Sequence, residues 1–97
     1  MRNELKKLTR GHSTKAERRF AELLKKTHIP FQTKVKIRGH EVDFLIGRYA
    51  IEIAGHNQNV IKNIDLVEAG YAPIFIYNYD VTSTRIEWLK KLYLYAR

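Results

Sequence analysis

Apolar positions change their spacing several times along this chain, and each change predicts an element. Thr14-Lys15-Ala16-Glu17 has the form of a capping box, with Ala16, Phe20, Leu23 and Leu24 following at helical spacing, so a helix is expected over 14–27. Pro30 ends it. From there the pattern alternates, with Phe31, Thr33, Val35 and Ile37 on one face and Gln32, Lys34, Lys36 and Arg38 on the other, as in a half-exposed strand. Gly39-His40 reads as a two-residue hairpin turn leading into a second strand, Glu41 to Ile46. After Gly47-Arg48, the apolar run Tyr49 to Ala54 predicts a third strand near the middle of a sheet, antiparallel to the second.

Beyond Gly55 the chain turns polar, and Val60, Ile61, Ile64 and Val67 then recur at helical spacing up to Gly70, predicting a helix over 59–69. Tyr71 to Tyr77 reads as a fourth strand, and Thr84-Arg85-Ile86-Glu87 as a capping box opening a helix with Trp88, Leu89, Leu92 and Tyr95. The expected order is α-β-β-β-α-β-α, an α/β fold with a mixed four-stranded sheet flanked by helices. Weak periodicity leaves residues 1–12 as a candidate mobile basic arm.

At 97 residues the chain is expected to form one domain, 1–97, with one modest core and no need of disulfides. It has no cysteine, which removes disulfides and thiolate zinc sites and makes a reducing, cytoplasmic setting the default. No apolar run approaches the ~20 residues of a membrane span, so a soluble protein without a membrane partner is expected. Charge changes the picture more. Of the net charge of +8, residues 1–40 carry 12 Lys/Arg against 3 Asp/Glu and residues 41–97 carry 6 against 7. A basic field confined to one segment suits a polyanion, and nucleic acid is the leading partner.

Two acids sit inside apolar strands: Asp43 within Val42-Asp43-Phe44-Leu45-Ile46 and Glu52 within Ala50-Ile51-Glu52-Ile53-Ala54. Buried carboxylates are costly unless paired, hydrogen-bonded or metal-bound, and neighbouring strands lie about 4.8 Å apart, so the two side chains can share one divalent ion. Mg²⁺ suits such a hard-oxygen pair because it keeps several waters and takes substrate phosphate as a further ligand, with Mn²⁺ as an alternative.

With these residues in place, the chain resembles the PD-(D/E)XK nuclease superfamily, and within it the branch of very-short-patch-repair-type endonucleases and small restriction-like proteins. The resemblance runs over about residues 13–80. It rests on Ser13-Thr14-Lys15-Ala16-Glu17, Phe31-Gln32-Thr33-Lys34, Glu41-Val42-Asp43-Phe44, Ile51-Glu52-Ile53-Ala54-Gly55 and Gly70-Tyr71, together with the element order. It implies a restriction-endonuclease-like core and a Mg²⁺-dependent DNA endonuclease. Asp43, Glu52 and the main-chain carbonyl of Ile53 would hold the metal, and Glu17 would reach the site from the first helix.

The superfamily pattern places lysine two residues after the second acid, where this chain has Ala54. A two-residue turn at Gly39-His40 pairs Arg38 with Glu41 and sets Lys36 opposite Asp43, making Lys36 the first replacement, Lys34 the next along the strand and Lys62 the fallback. A three-residue turn would send both strand lysines to the other face. In the loop after the third strand, His56 is a candidate general base or acid. Lys15, Arg18, Arg19, Lys34, Lys36, Arg38 and Lys62 form the expected phosphate-binding set.

Blander readings apply elsewhere. Glu17 already has a role in the capping box, and salt bridges to Lys36 or Arg48 would satisfy the strand acids. His12, His28 and His40 lack zinc spacing and receive no role. For Tyr71, Tyr77, Tyr79, Trp88, Tyr93 and Tyr95, strand and helix spacing favours core or a homodimer surface over stacking on bases, with the C-terminal helix as the expected interface. Asp80 is assigned to the turn before that helix. The rival functional readings are a catalytically inactive DNA-binding or regulatory domain on the same fold, and an RNA-binding basic protein. Both predict that Asp43→Ala leaves function intact.

Overall fold

The computed structural model describes residues 14–96. The basic segment 1–12, His12 included, lies outside the described residues. The first helix, α1 (Lys15–Lys25), opens on the expected capping box: Thr14 Oγ1 accepts from the Glu17 amide at 3.1 Å, and Glu17 Oε1 accepts from the Thr14 amide at 3.4 Å. Its inward face presents Glu17, Phe20 and Leu24. The chain leaves α1 through His28, which takes a left-handed φ of 62°.

Strands β1 (Gln32–Ile37), β2 (His40–Ile46), β3 (Tyr49–Ala54) and β4 (Ala72–Tyr77) form one sheet in the order β1-β2-β3-β4. β1, β2 and β3 are antiparallel neighbours, and β4 runs parallel to β3. The parallel pair is bridged by α2 (Val60–Glu68), and after a 3₁₀ turn at Asn78–Asp80 the described chain closes with α3 (Ser83–Ala96). The α/β order and mixed sheet match the sequence reading.

The first hairpin turns earlier than expected. Its two central residues are Arg38 (φ 52°) and Gly39 (φ 80°), and Ile37 pairs with His40. Two left-handed residues with Gly second are what a type I′ turn needs, which favours Arg-Gly over Gly-His. His40 is thereby kept in β2, where its Nε2 lies 2.7 Å from Asp65 Oδ2 on α2.

Two apolar clusters form against the sheet. Phe20 and Leu24 of α1 and Ile86 and Leu89 of α3 pack with Phe44, Ile46, Ile51, Ile53 and Ile76, while Leu66 of α2 packs with Ile37, Val42 and Ala50. Phe20 is fully buried, with its ring centroid 4.7 Å from that of Phe44. The inward face of α2 is narrower than its periodicity implies: Leu66 is buried, whereas Val60, Ile61, Ile64 and Val67 are 50% or more exposed. Lys62 and Asp65 take inward positions because β2 and β3 supply them with polar partners. The last helix is also capped differently, since Arg85 donates its amide to Thr82 Oγ1 at 3.2 Å, so Thr82 and not Thr84 opens it.

Candidate active site between two parting strands

The ladder between β2 and β3 covers only Ile46↔Tyr49, Leu45↔Ala50 and Phe44↔Ile51. One step further, Asp43 and Glu52 occupy opposite positions, and there the strands part. Continued pairing would set Ile53 against Val42. Instead the Ile53 amide donates to Asp43 Oδ2 at 2.9 Å, so the carboxylate takes over as acceptor where the ladder ends.

Each acid has a lysine beside it. Lys34 Nζ lies 2.9 Å from Glu17 Oε1 and 3.7 Å from Asp43 Oδ1, while Lys62 Nζ lies 3.1 Å from Glu52 Oε1 and also donates to the Glu41 carbonyl. These side chains are 10 to 27% exposed, so screening by water is limited. Three carboxylates against two ammonium groups leave the cluster one positive charge short of neutrality. Burial raises the pKa of Asp43, and the charges of Glu17 and Glu52 add to that, against the opposing effects of the Ile53 amide and Lys34. For Lys34, burial acts to lower the pKa, but the hydrogen bond and charge of Glu17, with the charges of Asp43 and Glu41, outweigh it, and the pKa is raised.

The register corrects the choice of strand lysine. With the turn at Arg38-Gly39, Lys36 pairs with Glu41 and is exposed, and Lys34 falls opposite Asp43. Lys34 adopts a left-handed φ of 53° at that point. The sequence signal for this was the Arg-Gly dipeptide, a better type I′ turn than the Gly-His after it. Lys62 joins the site because Asn59 caps α2, Oδ1 accepting from the Lys62 amide at 3.0 Å, and starts the helix beside Glu52.

The remaining candidates lie around this cluster. His56 is exposed beyond the end of β3, with Nδ1 2.7 Å from the Asn57 carbonyl. Lys15, Arg18 and Arg19 lie on the exposed side of α1, and Arg19 Nε donates to the Val81 carbonyl. Arg38 lies 3.4 Å from Glu68, an exposed pair. Ala54 is buried, so the position the superfamily gives to lysine is closed to solvent here.

The donor set can be tested against a divalent cation. Among the described residues, no three His, Asp or Glu side chains converge as a closed metal cage. Mg²⁺ does not require one, since one or two carboxylates with waters and substrate phosphate suffice. Asp43 and Glu52, at opposite positions where the ladder ends and each beside a lysine, fit that set.

No protein-family model and no curated protein sequence matches the chain. Among solved structures it is similar to the catalytic domain of the homing endonuclease I-Bth0305I, with a TM-score of 0.68 and 26% identity, over 84% of this chain and 96% of that one. The chain has a restriction-endonuclease-like nuclease fold. That fold accounts for the element order and the mixed four-stranded sheet. No helix among the described residues is long and apolar enough to cross a membrane.

Proposed function

We propose that this chain is a metal-dependent DNA endonuclease that hydrolyses phosphodiester bonds. The observation that carries the reading is the placement of Asp43 and Glu52 opposite one another where β2 and β3 part, each with its own lysine. The likeness to a homing-endonuclease catalytic domain supports it. The finer placement, in the very-short-patch-repair-type branch, rests on the residue pattern alone.

In this reading Asp43, Glu52 and the Ile53 carbonyl hold Mg²⁺ or Mn²⁺, which supplies positive charge at the scissile phosphate and a water poised for attack. The Ile53 amide and Lys34 fix the Asp43 carboxylate. Lys34 and Lys62 serve in place of the lysine absent at position 54, holding the phosphate oxygens as charge develops on them. Glu17 orients Lys34 from α1. A carbonyl can only accept, so the Nδ1 of His56 carries the proton shared with Asn57, which leaves Nε2 as the ring nitrogen available for proton transfer. Lys15, Arg18, Arg19, Lys36 and Arg38 hold the flanking backbone by charge.

The test is cleavage of supercoiled, branched and mismatched DNA with Mg²⁺ or Mn²⁺ by wild type, Asp43→Ala and Glu52→Ala. Product from wild type and none from either variant supports the nuclease. Ala54 favours one second reading, a nuclease-fold module that binds DNA without cutting it. Intact DNA with every metal, together with unchanged binding by the variants, would establish that reading instead.

A further inference from the structure

Parallel strands β3 and β4 end side by side, and ligands of α/β sheets collect outside the carboxyl ends of such strands. On β4, Phe75 stands in register with Glu52 and Tyr77 with Ala54. Being two residues apart, Phe75 and Tyr77 share one face, so an aromatic row starts beside the site acid and runs toward the strand end. Its rings touch in sequence. The Phe75 and Tyr77 centroids are 5.0 Å apart at 84°, those of Tyr77 and Tyr79 are 5.4 Å apart at 5°, and the His56 ring lies 6.2 Å from Phe75.

Core packing does not account for the outer end of this row. Tyr79 is 78% exposed, and its ring lies parallel to that of Tyr77. Among the described residues β4 is an edge strand, and no further strand covers its outer side. Asp80, the acid next to Tyr79, is paired with Arg85 at 3.3 Å, which reduces repulsion of a phosphate chain.

We infer that Phe75, Tyr77 and Tyr79 form a stacking platform for unpaired DNA bases, leading a single-stranded segment away from the phosphate at Glu52. This deepens the nuclease reading and rests on it for the position of the scissile phosphate. Bases in a duplex have both faces covered by their neighbours. An unpaired base offers a free face, and stacking on an aromatic side chain needs no sequence match. The substrate class is therefore DNA with an unpaired segment next to the cut, such as a flap, a fork or an unpaired bubble.

The experiment measures binding with chelator present, so no cleavage intervenes, using a fluorescent oligothymidylate and a blunt duplex. Tyr79→Ala is the first variant, because its exposure keeps the substitution out of the core. Affinity for the oligothymidylate is expected to fall on the order of tenfold, as for loss of one stacked base, with duplex affinity unchanged. Tyr79→Phe should bind as wild type and Tyr79→Leu as the alanine variant. A 2-aminopurine placed in the strand should be quenched on binding wild type and released from quenching in Tyr79→Ala.

Unchanged oligothymidylate affinity in Tyr79→Ala overturns the platform, as does equal weakening on the duplex. A variant whose only change is loss of a protein dimer also overturns it and assigns the row to a protein contact. Tyr79-dependent binding in a protein that cuts no DNA supports the platform and overturns the nuclease reading alone.

Discussion

Replacing Lys62 by methionine tests how the site is held together. The substitution keeps most of the side chain's length and removes the ammonium that lies 3.1 Å from Glu52 and serves the Glu41 carbonyl. Breaking a fully buried ion pair by removing one partner costs about 3–5 kcal/mol, while an exposed pair is worth about 0–1 kcal/mol. Side-chain exposures of 13% for Lys62 and 23% for Glu52 put this pair between those limits. A loss of about 2 kcal/mol follows, which for a chain of this size lowers Tm by about 8–16 °C. Thermal unfolding of wild type, Lys62→Met, Glu52→Gln and the double variant, in chelator, isolates the coupling, expected at about 1–2 kcal/mol. Added Mg²⁺ should raise the Tm of Lys62→Met more than that of wild type, because the divalent ion replaces the missing charge beside Glu52. A fall in Tm below about 2 °C, or single losses that simply add in the double variant, would refute the assignment.

Three further outcomes follow from the same geometry. Asp43 has a pKa raised by burial, so its protonated form is favoured in the folded state, and the stability this confers at low pH is lost as pH rises through the folded value. In chelator, Asp43→Asn should therefore gain stability relative to wild type as pH rises through the carboxylate range while losing cleavage; a stability difference independent of pH would contradict this. Lys34→Ala should abolish cleavage, whereas Lys36→Ala should leave the maximal rate intact and reduce the slope of log affinity against log salt by about 0.9; the reverse pattern in steady-state and salt-titration data would restore Lys36 to the site. Thr14→Ala removes the helix cap and should cost about 1 kcal/mol by chemical denaturation, with equal stability ruling out a working cap.

Much of this fold was legible because its signals are local. The capping box at Thr14 and Glu17, the alternation in β1 and β2 and the unbroken apolar run of β3 each express one period over a short stretch. The α2 helix was legible as a helix and misleading as a face. Apolar spacing at Val60, Ile61, Ile64 and Val67 implied a buried stripe, but the inward positions go to Lys62, Asp65 and Leu66. Those polar residues are held by partners on β2 and β3, ten or more residues away in sequence, and no periodicity within the helix records them. The N-terminal cap of α3 was ambiguous for a simpler reason: Thr82 and Thr84 both have a hydroxyl able to cap, and only the fold selects between them.

The site acids and the site lysine differ in how they can be read. Asp43 and Glu52 stand out because a carboxylate in an apolar strand is anomalous in any register. A lysine on a half-exposed strand is ordinary, so its role depends wholly on what lies across from it. Moving the turn from Gly39-His40 to Arg38-Gly39 shifts β1 by two residues against β2. A shift of two preserves the face of every side chain, so the expectation of a strand lysine beside Asp43 survives while its identity passes from Lys36 to Lys34. The same logic explains how a nuclease fold can lack lysine at position 54. That position pairs with Tyr77 and is buried, while β1 and α2 each bring an ammonium group to the acids from outside the strand. Positive charge thus reaches the parting of β2 and β3 from two elements at once.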